Sequence, residues 1–326
     1  MRSFPYKTEY QKLLTPEIVS YLTQIHEQKG MQSNHATVQG ASLRSLLDIN
    51  MLQSAEAIAR MEGNSITSER LKKIVLNKTT PKNHSEREIA GYRDALAAIH
   101  ENYIFFPIQA GKILEIHRTL FQYSGSSASG KIFKSSETDT LCRAMNDARN
   151  DKEMDDLLLL PMFILDFLCL HPFDDGNRRM SLMLMLLLLY QMGYPVGRYV
   201  SIEKLIVDNQ TGYYAALQES SAHWQEGRND YLPFARYVLG IIAAAYEVAS
   251  VLTGILLGKG ASRPNMVRKI IRNASGTITK AEILAQCPDT SQITVQRALK
   301  ELLDKGEIIK IGGGRYTSYM WNWDKE

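Results

Sequence analysis

Nine consecutive residues, His171–Pro172–Phe173–Asp174–Asp175–Gly176–Asn177–Arg178–Arg179, gather a base, two carboxylates, a Gly-Asn step and two guanidinium groups. Each type has a use at a phosphate. Gly176 lets backbone approach a ligand closely. The residues after it open a helix, whose first N–H groups lack partners within the helix and whose dipole favours an anion. Arg178 and Arg179 add guanidinium forks that match phosphate oxygens. Asp175 is a hard oxygen ligand of the kind Mg²⁺ takes beside nucleotide phosphates. His171 is then a general base for a hydroxyl attacking phosphorus, a role worth about 10²–10⁴ in rate. The set points to nucleotidyl or phosphoryl transfer. The alternative is a charged connection in which His171 only caps a helix and the arginines are solvated. Base, metal ligand, anion nest and cations in one loop favour the site.

The elements that must hold this loop are written on either side of it. Leu157–Leu170 and Met180–Leu189 are apolar almost throughout. The first is interrupted by Pro161 and Asp166 and the second is short, so neither suits a membrane crossing. They predict two central helices of a soluble core. Apolar spacing predicts further helices over 16–28, with Pro16 in its first turn, and over 40–62, 65–78, 85–103, 108–122 and 232–253. Another begins within 201–208. Helix 40–62 places Leu43, Leu46, Leu47, Met51, Leu52, Ala55, Ile58 and Ala59 at helical intervals and stops at Glu62–Gly63–Asn64, where Gly63 suits a left-handed turn. Gly125–Ser136 is small and polar and reads as a connection. His223 and Trp224 lack the partners of a second site and read as structural.

Of the 326 residues, 44% are hydrophobic and 22% charged, ordinary values for a globular chain. The length suits more than one domain. A net charge of +3 does not by itself imply nucleic-acid binding. Cys142, Cys169 and Cys287 lie far apart with no zinc spacing and read as reduced thiols. The opening Met1–Lys7 runs into mixed polar sequence rather than a signal-peptide core. The expectation is a cytoplasmic protein without a membrane partner.

The loop fits the pattern H-P-F-x-D-G-N-x-R, and through it the chain resembles Fic-domain proteins, most of which move AMP from ATP onto a protein hydroxyl. Ile89–Ala95, Leu187–Tyr190, Tyr199–Lys204, Tyr213–Leu217 and Tyr231–Tyr237 extend the likeness over most of residues 1–255. The resemblance implies a mainly α fold, a Fic-type helical bundle with a small β-hairpin flap. It implies His171 as the base, Asp175 as the Mg²⁺ ligand, Gly176 and Asn177 as the phosphate cradle, Arg179 as a phosphate-binding arginine and Phe173 as a buried anchor. Tyr213 and Tyr214 match positions near adenine and ribose. Neighbours on a helix point in different directions, so at most one of them stacks on the base. Glu62 and Gly63 resemble the end of the family's inhibitory helix. Lys131, Ile132, Phe133 and Lys134 resemble what remains of a flap that grips the target.

Two departures bear on these roles. Arg178 stands where the family has Gly or Lys, and Leu182 where it has a second arginine, the one that touches the terminal phosphate and pairs with the inhibitory Glu. Ile58 also replaces the usual Ser/Thr four residues before Glu62. Weak autoinhibition is therefore expected. Because 178 and 182 share a helix face, Arg178 is expected to reach toward the missing guanidinium's place.

The tail reads as a separate module. Gly258–Pro264 suits a linker. Helices over 264–273, 280–286 and 293–304, then strands 306–311 and 315–321 around Gly312–Gly314, spell a winged helix-turn-helix. From Arg263 to Glu326 there are eleven basic and seven acidic residues, a modest excess for a DNA binder. Gln292, Thr294, Gln296, Arg297 and Lys300, with Lys310 and Arg315 on the wing, would meet either DNA or a protein surface. The expected organisation is a helical region over 1–88, a Fic core over 89–255, a linker over 256–263 and the tail domain over 264–326. Two functions follow. One is a Mg²⁺-dependent protein adenylyltransferase that uses ATP to modify a Thr, Tyr or Ser hydroxyl of a protein, itself included. The other is an impaired Fic scaffold that senses nucleotide and regulates through its tail. The face Ile241–Tyr246 suits either core or an interface in a homodimer.

Overall fold

The computed structural model describes residues 3–34, 41–124, 133–256, 267–268, 270–272, 276–285, 291–313 and 317–322. It divides into two compact units, Met1–Ala249 and Ser250–Glu326. The N-terminal region thus shares one unit with the loop at 171–179.

The first unit is helical: α1 (Tyr6–Glu9), α2 (Pro16–Asn34), α3 (Ala41–Met61), α4 (Ser68–Val75), α5 (His84–Asn102), α6 (Ala110–Leu120), α7 (Ser135–Asp151), α8 (Asp156–Leu170), α9 (Asn177–Gln191), α10 (Ile202–Asp208), α11 (Gln210–Ser221) and α12 (Leu232–Leu256). The two apolar runs are α8 and α9, which pack against each other with the polar loop between them. Asp155 starts α8 by accepting the Leu157 N–H at 2.9 Å. From Leu157 to Phe167 every residue of α8 is buried. The one carboxylate within that buried stretch, Asp166, accepts from Tyr6 Oη (2.8 Å), Tyr231 Oη (2.9 Å) and Trp224 Nε1 (2.6 Å), so α1 and the start of α12 are tied to the central helix. Trp224 is therefore structural, as the sequence suggests.

A second buried carboxylate ties α3 to α5 and α10. Glu203 accepts from Ser54 Oγ and Tyr92 Oη, each at 2.8 Å, and from Ser201 Oγ at 3.1 Å. Gly91 lets α5 meet the end of α6, since a Cβ there would stand 1.9 Å from the Leu120 carbonyl oxygen. That contact sets where Leu120 and Phe121 lie beneath the loop. α12 is long and apolar enough to cross a membrane by length and composition. Phe234, Val238, Leu239, Ile242 and Tyr246 are nonetheless buried in the first unit. Within Ile241–Tyr246, Ile241, Ile242, Ala243, Ala245 and Tyr246 belong to that core.

The second unit has its own core of Val267, Ile271, Ile278, Ile283, Val295, Ala298, Leu299, Leu302, Ile308 and Trp321. Helices Lys280–Ala285 and Gln292–Asp304 accompany an antiparallel sheet of β1 (Ile278–Thr279), β2 (Ile308–Ile311) and β3 (Ser318–Trp321) in the order β1-β3-β2. Ile278 is opposite Tyr319, and Ile308 opposite Trp321.

Several elements differ from the sequence expectation. The helix expected over 65–78 is shorter, because Thr67 caps it by accepting the Arg70 N–H. The first long helix continues past 28 to Asn34. α1, α7 and β1 were not anticipated. α7 buries only Thr138, Leu141, Cys142, Met145 and Ala148, a stripe too thin to stand out in a polar stretch. The two compact units meet at 249/250, within α12, and the linker expected over 256–263 lies, after Leu256, outside the described residues.

Candidate functional site

The loop is held by two residues in the left-handed region. His171, the C-cap of α8, has φ 52° and ψ 66°. Gly176, the N-cap of α9, has φ 80°. The first turns the chain out of the core so that His171 is exposed, while Pro172 and Phe173 return to it. Phe173 is the buried anchor expected: its ring stacks on His117 at 3.8 Å between centroids and on Phe133 at 5.0 Å. His117 Nε2 lies 3.0 Å from the Asp175 carbonyl oxygen. Burial holds the His117 imidazole below its usual range, so it supports the loop as a neutral ring.

Asn177 closes the loop on itself. Its Oδ1 accepts the Phe173 N–H at 3.0 Å and its Nδ2 donates to the Phe173 carbonyl at 2.6 Å. The same amide nitrogen stands 3.2 Å from both ring nitrogens of His171. Asn177 is therefore a buried tether for the His171 ring. No side chain caps α9 at Gly176. Thr67, Asn83, Asp155 and Ser201 cap α4, α5, α8 and α10, while α6, α7 and α11 share with α9 the lack of a side-chain cap. The leading N–H groups of α9 are thus left facing the loop, where an anion would satisfy them.

Asp175 accepts the Gly176 N–H through Oδ1 at 2.5 Å, and its side chain is 70% exposed. Among the described residues no group of three His, Cys, Asp or Glu side chains could hold a metal. A single exposed carboxylate fits Mg²⁺, which keeps several waters and takes one or two carboxylates beside phosphate oxygens.

Arg179 is 1% exposed. Its NH1 lies 3.0 Å from Glu88 Oε1, its NH2 3.5 Å from Asp175 Oδ2, and its guanidinium 4.9 Å from the Phe121 ring centroid. Arg178 is half-buried, with its guanidinium 5.3 Å from the centre of the Tyr214 ring. Leu182 is 3% exposed and belongs to the core. Tyr213 is buried against Phe234 and Tyr237, whereas Tyr214 is exposed. Helical phase thus leaves Tyr214 as the ring of the pair open to a base.

The other expected site residues are spread more widely. Glu62 is exposed, and among the described residues it forms no ion pair; Gly63 has φ 71° at the turn that ends α3. Phe133 forms an isolated antiparallel bridge with Phe173, and Lys134 donates from Nζ to the Leu170 carbonyl at 2.7 Å and from its backbone N–H to Pro172. These two residues brace the motif loop. Lys131, Ile132 and Arg315 lie outside the described residues. In the second unit Gln292, Gln296, Arg297, Lys300 and Lys310 are exposed, and Thr294 is half-buried beside its helix cap Ser291.

Sequence reasoning missed Glu88, Asn64, His117 and Phe121. Glu88 immediately precedes the likeness at Ile89, but nothing in its spacing marks it as a partner of Arg179.

Residues 107–189 match the family model described as Fic/DOC family, a span that contains the whole loop. No curated protein matches the chain. Among solved structures, a Fic family protein from Desulfovibrio desulfuricans G20 is similar with a TM-score of 0.57 and 18% identity, over 95% of this chain and 97% of that one. A Fic domain containing signaling protein from Bacteroides thetaiotaomicron gives 0.59 and 17%, over 73% and 98%. Fic-1 from C. elegans, residues 134–508, gives 0.57 and 22%, over 72% and 71%. At these identities the likeness is one of fold, and the family match rests on the segment that holds α6 to α9. Residues 107–189, which hold the loop, are thus similar to the Fic/DOC family domain.

Proposed function

We propose that this chain is a Mg²⁺-dependent nucleotidyltransferase that moves AMP from ATP onto a Thr, Tyr or Ser hydroxyl of a protein, itself included. Members of the Fic/DOC family commonly transfer a nucleotide monophosphate to proteins, which supports the reading. The observation that carries it is the exposed His171 ring tethered by Asn177 beside the uncapped start of α9.

The target hydroxyl gives its proton to His171 as its oxygen bonds to the α-phosphorus, and the bond from that phosphorus to the bridging oxygen breaks to release pyrophosphate. Asp175 would hold a Mg²⁺ ion, which when bound would supply neutralising charge to the phosphate oxygens. The N–H groups opening α9 receive the charge that develops on the transferring group. Tyr214 offers its face to the base, with Arg178 beside it. The protein works in the cytoplasm in this reading.

Leu182 favours a second reading, because no guanidinium stands at that position to meet a terminal phosphate. The chain would then bind nucleotide without transferring it and act through its tail. We read the second unit as a winged helix-turn-helix whose exposed Gln292, Gln296, Arg297, Lys300 and Lys310 meet DNA or a protein.

One experiment separates the readings. Purified protein is incubated with Mg²⁺ and α-labelled ATP, with and without candidate targets, beside His171→Ala, and the products are read by intact mass. A gain of one AMP that vanishes in the variant is expected. Labelling absent even after Glu62→Gly would favour the binding-module reading.

A further inference from the structure

We propose that Glu88 is the positioning residue of the loop: it fixes Arg179 and, through Arg179, the Asp175 carboxylate. The proposal rests on the reading above, in which Asp175 holds Mg²⁺ beside the nucleotide.

Arg179 has the sequence position of a phosphate-gripping arginine but the surroundings of a buried strut. At 1% exposure it cannot turn outward without leaving its two counter-charges. Its Nε finds no hydrogen-bond partner, and the 3.0 Å approach of NH1 to Glu88 is an ion pair without hydrogen-bond alignment. Two carboxylates and the face of Phe121 therefore hold the guanidinium in place. Of the two, Asp175 lies on the loop and is largely exposed, whereas Glu88 is 8% exposed on α5. Glu88 is the fixed end and Asp175 the end being positioned.

Glu88 is itself fixed. Its Oε2 accepts from Asn64 Nδ2 at 2.8 Å, and Asn64 Oδ1 accepts from Ser85 Oγ at 2.7 Å. His84 Nε2 stands 3.8 Å from Oε1. Asn64 directly follows the turn at Glu62 and Gly63, and its N–H is bonded to the Ala59 carbonyl at 2.8 Å. The end of α3 thus reaches the loop through Asn64, Glu88, Arg179 and Asp175, while the exposed Glu62 takes no part. A partner that orients a metal-side ligand from behind is worth about 10–100-fold in metal affinity.

The test is calorimetric titration of ATP into the full chain with Mg²⁺ and with EDTA, so that the ratio of the two affinities reads the metal's contribution. Glu88→Gln is expected to shrink that ratio about tenfold. Glu88→Asp should restore part of it. Arg179→Lys should lower it, and Glu88→Gln combined with Arg179→Lys should lower it no further than the worse single change, because both break one chain of contacts. A Glu88→Gln protein that melts like the parent and keeps the parental ratio overturns the proposal, as do additive losses. If Glu88→Gln does not fold, Asn64→Ala removes only the outer bond: a ratio reduced about two- to threefold supports the proposal and an unchanged one overturns it. A parent chain with no Mg²⁺-dependent ATP binding would instead refute the nucleotide reading itself.

Discussion

His171 and Gly176 depend on the left-handed backbone for different reasons. His171 uses it to leave the core, and Gly176 uses it to start α9 against the Phe121 ring. A Cβ on Gly176 would lie 2.7 Å from Phe121 Cε2 at φ 80°. Gly176→Ala is therefore expected to cost about 1–3 kcal/mol of stability through strain and crowding. It should also weaken ATP binding measured by titration, because the cradle must shift. Undiminished affinity in a destabilised protein would show that the start of α9 does not receive the phosphates. The neighbouring tyrosines make a sharper contrast. Tyr214→Ala should lower ATP affinity about tenfold by removing a stacking face. Tyr213→Phe should leave it unchanged, since that ring packs on Phe234 and Tyr237. Glu62→Gly should raise self-labelling only slightly, because Glu62 is exposed and the carboxylates on the motif arginine are Glu88 and Asp175.

At the scale of the elements, buried polar residues decide which helices stay together. Asp166 receives three donors from Tyr6, Tyr231 and Trp224. Asp166→Ala would remove the shared acceptor of these three bonds, so a loss of about 3 kcal/mol is expected from denaturant midpoints. His100 sets a pH dependence. Burial, and then the charge of Arg198, lower its pKa from the ordinary 6.5 to about 4, while Tyr190 Oη holds its Nδ1 at 2.9 Å. The unfolded chain takes up this proton first, so the contribution is full above 6.5 and is lost as pH falls toward 4. The denaturation midpoint should decline across that window, and His100→Gln should flatten the decline whatever it does to the midpoint at neutral pH. α8, α9 and the loop between them were legible in the sequence, because apolar runs that long have to be buried and a nine-residue polar insert between them has to have a use. Other features depended on facts outside any local pattern. Which of Tyr213 and Tyr214 faces outward follows from the phase of α11, set by packing on Phe234. Glu88 reads as an ordinary helix carboxylate until folding brings α9 to it. β1 is two residues long and exists only because Tyr319 and Ser318 lie opposite it.

At the scale of the whole molecule, the proposed site lies within one of two compact units. Every residue of the loop and its supports, from Asn64 to Tyr214, belongs to Met1–Ala249, and the second unit closes a separate core around Leu302 and Trp321. A module of that size buries a small core and has little stability to spare. Leu302 is fully buried there, so Leu302→Ala should cost about 2–5 kcal/mol, enough to unfold the tail or nearly so. Hydrogen exchange resolved by peptide should then show lost protection across 276–322 and unchanged protection in α5, α8 and α9. ATP titration and self-labelling should match the parent. Any DNA retention by the parent should disappear in the variant, and should weaken steeply with salt beforehand if Arg297, Lys300 and Lys310 meet phosphates. Labelling that falls together with tail protection would mean that the second unit supports the site in the first, and the division of labour between the two units would have to be abandoned.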